Sequence, residues 1–231
     1  YYNIMSTYDD ASLILYPSGY KEDKLYSLKP TDGSGDLDFT RASTATRVNS
    51  DGLIEGVRTN ANKNFASWTK INGTEVLTSG VIDPFNETNA YNLSGISAGN
   101  FNYGIKIVTS LAVAANSYFT ISIYAKGTGT IGITAQGTGF FNLLPITLTS
   151  TWTRHSLTVL AGSSISSFTF YVSNYTGSTA TSVDISFPQA ELGTSATDYI
   201  PTTSTAVSVG MLANVPRIDY TGGGCGKLLL E

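Results

Sequence analysis

The chain has 231 residues, of which 13% are charged and 41% hydrophobic, and its formal net charge at pH 7 is -4. With 13 Lys and Arg against 17 Asp and Glu, it lacks the basic surplus that binding to phosphate backbones requires, so no nucleic-acid partner is expected. No apolar run approaches the ~20 residues of a membrane-spanning helix, so no membrane insertion is expected either. The low charge and the many Gly, Ser, Thr, Asn and Tyr residues favour strands joined by turns. We therefore expect an all-β protein.

The first sixty residues alternate short apolar stretches with turn signals. Ser12–Tyr16 predicts a strand that ends at Pro17-Ser18-Gly19, and Lys24–Leu28 predicts a second strand. Residues 36–41 alternate with period two and predict a third. Thr46–Glu55 places an Asp-Gly pair between two short strands, which predicts a hairpin.

A long run of strands follows between residues 65 and 209. The clearest is Tyr118–Lys126, in which Phe119, Ile121 and Ile123 are expected to point inward. No stretch of about twelve residues shows the apolar stripe of a helix. The regular spacing of strands and Gly, Ser or Asn turns predicts a β-sandwich of the jelly-roll kind. Its other clear strands are expected at 131–135, 152–159, 168–172 and 183–187.

The end of the chain returns to the pattern of the beginning. Val215–Tyr220 and Lys227–Leu230 flank a glycine-rich connection and predict a second hairpin. Because domain termini commonly lie close together, we predict that the two hairpins form one small split sheet into which the jelly roll is inserted. The predicted divisions are 1–64 for the N-terminal strands, 65–209 for the jelly roll and 210–231 for the completing hairpin.

The split sheet makes specific predictions about side chains. Its small core is expected to contain Val48, Leu53, Ile218 and Leu229. At its rim, Arg47 and Arg217 are expected to pair with carboxylates. The candidate carboxylates are Glu55, Asp219 and Glu231.

Several segments resemble recurring pieces of virion proteins from phages of gut bacteria. Those near the two ends are Leu25–Ser27, Pro30–Asp36, Phe39–Val48, Asn214–Tyr220 and Leu228–Glu231. Two others, Trp152–Arg154 and Gln189–Thr202, resemble the closing strands of a carbohydrate-binding-module-like jelly roll common in phage tail and fibre proteins.

This resemblance implies a non-enzymatic structural protein on the virion surface, as a decoration or fibre module of capsid or tail. Its implied partners are other virion proteins and copies of itself. The alternative is a glycan-binding module that attaches the particle to host-surface or mucus glycans. A polysaccharide depolymerase is the third hypothesis. Fold alone does not decide among them.

The residues themselves indicate no catalytic set. His155 is the only histidine and Cys225 the only cysteine in the sequence. A lone histidine on a strand is usually structural, and no pair of carboxylates is singled out for glycoside hydrolysis. We therefore expect no catalytic residues. The single cysteine also excludes an internal disulfide.

One acidic turn is a candidate for a structural calcium ion. Asp32, Asp36 and Asp38 lie in a glycine-rich stretch and offer the oxygen ligands that calcium favours. The spacing lacks the full twelve-residue calcium loop, and ordinary Asx turns account for the same residues. No other cofactor is expected.

Aromatic side chains are the candidates for glycan contact, because their ring faces pack against sugar rings. Trp68, Trp152 and Phe170 are expected in the core instead. The candidate glycan contacts, which lie near Gly and Asn loops, are Tyr103, Phe140, Phe141, Tyr171 and Tyr175.

Overall fold

The computed structural model describes residues 7–224 and 226–229, so Cys225, Leu230 and Glu231 lie outside the described residues. The chain divides into two compact units, residues 59–207 and a second unit built from both ends, up to 58 and from 208. Across the described part of the chain, no helix has the length and apolar character needed to cross a membrane.

Strands dominate both units. Within the described ranges, the helices are α1 (Thr7–Asp10) and a 3-10 turn (Phe65–Ser67). The strands of the first half are β1 (Ile14–Lys21), β2 (Lys24–Lys29), β3 (Leu37–Asp38), β4 (Arg47–Val48), β5 (Ile54–Glu55), β6 (Arg58–Asn60), β7 (Thr69–Lys70), β8 (Val76–Val81), β9 (Ala90–Ser94) and β10 (Gly104–Thr109). Those of the second half are β11 (Ser117–Gly127), β12 (Thr130–Gly137), β13 (Phe140–Thr147), β14 (Thr153–Ala161), β15 (Phe168–Ser173), β16 (Ser182–Leu192), β17 (Val207–Val209), β18 (Arg217–Asp219) and β19 (Lys227–Leu229).

The unit of residues 59–207 is a sandwich of two five-stranded antiparallel sheets. Sheet I has the order β13-β12-β15-β10-β7, and sheet II has the order β14-β11-β16-β9-β8. The predicted all-β jelly-roll sandwich is confirmed, and each of the five strands predicted within it is found. Alternating apolar residues produce this arrangement because successive side chains of a strand point to opposite faces.

The core lies between the two sheets. Phe119, Ile121 and Ile123 of β11 are fully buried, which confirms their predicted inward orientation. The rings of Phe119 and Phe168, from opposite sheets, are 4.5 Å apart between centroids. Each such side chain contributes roughly 1.5–3 kcal/mol by leaving water. Trp68 belongs to the same core.

The sandwich unit begins earlier than the sequence predicted. Residues 59–64, assigned above to the N-terminal strands, belong to it. The reason is hydrogen bonding, since the N–H of Ala61 donates to the carbonyl of Ala190 (2.8 Å) and that of Asn64 to Thr203 (3.0 Å). The unit ends at 207 instead of 209.

The other unit contains the three-stranded sheet β1-β2-β3. The predicted turn at Pro17-Ser18-Gly19 is wrong, because β1 continues through it to Lys21. Pairing with β2 is irregular between Leu15 and Tyr20, and such an irregularity accommodates a proline that has no N–H to donate. Of the strand predicted over residues 36–41, only β3 forms.

The two predicted hairpins both form, as β4–β5 and β18–β19, but they are separate two-stranded sheets. The split sheet is therefore corrected to two adjoining hairpins. The N–H of Tyr220 donates to the carbonyl of Val48 (3.0 Å), and a side chain makes the next link, since the N–H of Val48 donates to Oδ2 of Asp219 (2.9 Å). The Asp219 carboxylate thus takes the place of a backbone hydrogen bond that a continuous sheet would have between β4 and β18.

The predicted side-chain arrangement holds only in part. Ile218 is buried, but Leu53 is 65% exposed at the hairpin tip and is not part of a core. The ion pair between Arg47 and Glu55 is confirmed, with Nε and Oε2 3.0 Å apart. The buried Arg41 joins the two ends of the chain, because its Nη2 donates to the carbonyl oxygens of residues 212 (2.8 Å) and 215 (3.0 Å).

Candidate functional site

A buried polar network supports the outer face of sheet II. The Gln189 side chain donates to Glu191 (2.6 Å), and the Thr197 N–H and hydroxyl donate to the same carboxylate at 2.9 and 2.5 Å. The N–H of Ile200 donates to Oε1 of Gln189 (2.8 Å). Buried polar groups need such partners. The network therefore holds the segment after β16 against the sheet.

Asn60 attaches the start of the unit to the same segment. Its Nδ2 donates to the carbonyl oxygens of Pro188 (3.1 Å) and Ile200 (2.9 Å). Its Oδ1 accepts from the N–H groups of Asn62 (3.0 Å) and Ala190 (3.1 Å). The side chain is fully buried, and one amide thus satisfies four backbone groups.

A bulge in β16 turns an aromatic side chain outward. Ser122 pairs with Gln189 and Tyr124 with Ser186, so two residues of β16, Phe187 and Pro188, oppose a single residue of β11. Phe187 has φ of +53°. A bulky residue rarely adopts this left-handed conformation, and such strain is concentrated at functional sites.

Six aromatic side chains line an open cleft of about 850 Å³ outside sheet II, which we name the aromatic cleft. Four of their rings form one group with Phe187 at its centre. The ring centroid of Phe187 is 4.5 Å from Tyr199, 5.3 Å from Phe85 and 6.0 Å from Tyr124. Phe85 is 62% exposed. A concave site lined by aromatic side chains, with a few polar groups among them, is typical of a ligand site.

Charged side chains surround the rings. Arg154 lies in the lining with its guanidinium 5.6 Å from the centre of the Tyr124 ring, and its Nη2 donates to Ser122 (3.0 Å). Its Nε is buried without a hydrogen-bond partner in the described residues. Glu87 and Asp198 also belong to the lining. The cleft therefore offers both donors and acceptors beside apolar ring faces.

The hydroxyl of Tyr199 stays protonated in this site. Burial raises its pKa above the ordinary value of 10.0, and hydrogen bonds with Thr202 oppose the change only in part. It therefore remains a neutral group that can donate or accept a hydrogen bond.

None of these cleft residues was among the sequence-based candidates. The feature of the sequence that indicates the bulge is Pro188, because a proline inside a strand pattern marks a bulge or an edge strand. Phe85 lies in the connection between β8 and β9, and only the fold brings it to the rings of β11 and β16.

The sequence-based glycan candidates are divided by the structure. Phe141 and Tyr171 come together in a second depression, on the outer face of sheet I. Tyr103 and Phe140 pack instead against the core of the sandwich. Tyr175, half-buried in the connection after β15, lines neither depression.

The three aspartates of the candidate calcium site have separate roles. Asp32 accepts from the N–H of Ser34 (3.0 Å), and Asp36 accepts from the N–H of Ser27 (2.8 Å). Oδ1 of Asp38 lies 3.6 Å from Nζ of Lys24. Within residues 7–224 and 226–229, no three His, Cys, Asp or Glu side chains form a metal-binding group.

His155 and Trp152 have no place in the cleft. His155 pairs with Ile123 across β11 and β14, and burial lowers its pKa below the ordinary 6.5. The expectation that Trp152 lies in the core is wrong. Its ring is half-buried at the surface, 4.9 Å from Nζ of Lys126, because it precedes an edge strand of sheet II.

No protein-family model and no curated protein matches the chain. Among solved structures, the chain is similar to the CBM22-1 and GH10 modules of a Clostridium thermocellum endo-1,4-β-D-xylanase in complex with xylohexaose. The TM-score is 0.44 and the sequence identity 16%, and the match covers 64% of this chain and 30% of the other. It is also similar to the CBM22-1 xylan-binding domain of Paenibacillus barcinonensis, with a TM-score of 0.43, 16% identity and coverages of 60% and 94%. A tailspike domain of bacteriophage CBA120 matches with a TM-score of 0.40, 15% identity and coverages of 58% and 21%. Similarity this weak identifies neither a family nor a ligand.

Proposed function

We propose that the chain is a non-catalytic glycan-binding module and that the aromatic cleft is its binding site. The observation that carries this proposal is the row of rings around Phe187, one of them largely exposed, in an open cleft edged by Arg154 and two carboxylates. Sugar rings present apolar C–H faces and polar hydroxyl edges. A site for them needs aromatic faces beside hydrogen-bonding groups, and the aromatic cleft offers both.

Single substitutions in the cleft test this directly. Phe85→Ala removes an exposed ring and should leave the melting temperature nearly unchanged, whereas binding to neutral oligosaccharides should fall by about tenfold or more. The matched control is Leu160→Ala, because Leu160 is 50% exposed on sheet II and does not line the cleft.

The assay is calorimetric titration, or an array of glycans read with avidity-displayed protein, over xylan, glucan, mannan and galactan oligosaccharides. Binding that is lost in Phe85→Ala and kept in Leu160→Ala supports the cleft. The proposal is abandoned if no neutral glycan binds, or if Phe85→Ala binds as well as the wild type.

We propose further that the module is displayed on a phage particle, in association with other virion proteins and copies of itself. The support is the resemblance of Phe39–Val48 and Asn214–Tyr220 to virion proteins, two segments that pack together in the unit built from both chain ends. Display in several copies would raise the avidity of a weak sugar site. Antibodies against the chain should label purified particles, and unlabelled particles would refute this location.

The absence of catalysis is also part of the proposal. Incubation with each polysaccharide that binds should release no reducing ends. Release by the wild type that Phe85→Ala abolishes would instead assign a depolymerase to the cleft.

A further inference from the structure

The outer face of sheet I carries a second depression of about 360 Å³, which we name the sheet I groove. Its exposed rings are Phe101 and Phe141, with centroids 6.0 Å apart and exposed fractions of 40% and 53%. Tyr171 also lies in the lining. The groove therefore has sugar-sized aromatic faces, as the aromatic cleft does, but on the other sheet of the sandwich.

The charge of the sheet I groove is different from that of the aromatic cleft. Among the residues that the structure describes, Lys106 is the only charged side chain in the lining of the groove, and no carboxylate lines it. No carboxylate lies within 4.0 Å of the Lys106 ammonium among the described residues. On a chain with a net charge of -4, this is a local positive site that no carboxylate of the described residues neutralises.

The floor of the groove contains an unsatisfied hydroxyl. Thr134 lines the groove beside Tyr171, with which it pairs in register, and is only 2% exposed. Its Oγ1 has no hydrogen-bond partner in the part of the chain that the structure describes. A buried polar group without a partner is costly unless a ligand or water satisfies it. It is the second sign of a ligand site, independent of the charge.

We propose that the sheet I groove is a second carbohydrate site, selective for a sugar residue that carries a carboxylate, such as a uronate. The exposed rings of Phe101 and Phe141 pack against the sugar face, and the Lys106 ammonium pairs with the carboxylate. The proposal does not depend on the aromatic cleft, whose lining contains Glu87 and Asp198 and is poorly suited to an anion. The module would then hold two glycans of different charge on its two sheets.

The test compares an oligogalacturonate with the same oligosaccharide methyl-esterified, titrated calorimetrically into the full chain. The esterified form keeps the sugar rings but lacks the charge, so we expect it to bind about threefold to tenfold more weakly. Lys106→Gln should abolish this preference, and Phe141→Ala should weaken both ligands. Raising the salt to about 0.5 M should weaken only the charged ligand.

Matched controls separate the groove from general effects. Lys63→Gln makes the same change of net charge outside the groove, and Val108→Ala truncates a 65%-exposed side chain on the strand of Lys106. Both should bind uronate normally, as should Phe85→Ala. Normal uronate binding by Phe85→Ala would also show that a loss of binding in the aromatic cleft and a loss of binding in the sheet I groove can be told apart.

Three results would overturn the proposal. The first is no binding of galacturonate, mannuronate or sialyl oligosaccharides. The second is equal binding of the acid and its ester, or an unchanged preference in Lys106→Gln. The third is a glutamate hexapeptide that binds as tightly as the uronate, which would make the groove a peptide site.

Discussion

Replacement of Asn60 by alanine should destabilise the sandwich far more than replacement of its near neighbour Asn62. Both side chains are fully buried. Asn60 makes four hydrogen bonds to backbone groups, whereas neither Nδ2 nor Oδ1 of Asn62 has a partner in the described residues. The same atoms are removed in both variants, so the lost volume is matched and hydrogen bonding is the variable.

The expected magnitude follows from the groups left behind. Asn60→Ala leaves two carbonyl oxygens and two N–H groups buried without a hydrogen-bond partner. Each such group destabilises the fold by about 1 kcal/mol or more, which gives about 3–5 kcal/mol in total. That is a large fraction of the roughly 5–15 kcal/mol that stabilises a typical domain. Asn62→Ala removes an amide that is already unsatisfied, so its cost should stay below about 1–2 kcal/mol, the cavity alone.

Urea unfolding followed by tryptophan fluorescence measures this difference. The chain has two tryptophans, Trp68 and Trp152, and both lie in the unit of residues 59–207, so the signal reports on the sandwich alone. Asn60→Ala should also weaken glycan binding in the aromatic cleft, because Pro188 and Ile200 adjoin the rings of Phe187 and Tyr199. Equal unfolding free energies for the two variants would refute the reasoning.

Three further predictions concern the rest of the chain. Deletion of residues 214–231 should remove hydrogen-exchange protection from residues 25–55 and leave the sandwich protected, because a lone hairpin is marginally stable; unchanged protection would contradict this. Hydrogen bonds from Thr221 and Val48 lower the pKa of Asp219 from 3.8 to about 2. As the pH falls, this carboxylate is therefore protonated in the unfolded state before it is protonated in the folded state. The terminal unit should then lose stability as the pH falls from about 4 to 2. Asp219→Asn should flatten that acid transition in exchange measurements. Gly104→Ala should unfold the sandwich, because φ of Gly104 is +151° and a Cβ would collide with the backbone of β15. The control is Gly139→Ala, where φ is +81° and a Cβ would enter open space. In melting experiments this control should lose only about 1–2 kcal/mol of unfolding free energy.

The sequence by itself determined the class of fold and most of the sandwich strands. Period-two alternation is a local property, and in β11 it places Phe119, Ile121 and Ile123 on one face whatever the rest of the chain does. The Asp-Gly hairpin and its ion pair between Arg47 and Glu55 are equally local, because the turn sets the register and the register sets the pair.

Only the tertiary structure decided which aromatic side chains are exposed together. Adjacent residues Phe140 and Phe141 look alike in the sequence, yet one packs on the core and the other stays at the surface, because the pairing partner fixes which face of β13 is inside. Leu53 was misplaced for a related reason, since nothing local to a hairpin tip shows whether another element covers it.

The aromatic cleft depended on the fold most of all. The four rings grouped around Phe187 come from β11, β16 and two connections, and Phe187 faces outward only because a bulge interrupts the alternation on which sequence prediction relies. The buried network that supports it joins Asn60 to residues 188 and 200, a sequence separation of 128 and 140 positions. Local patterns carry no information about contacts at that distance, and these contacts require the packed sandwich.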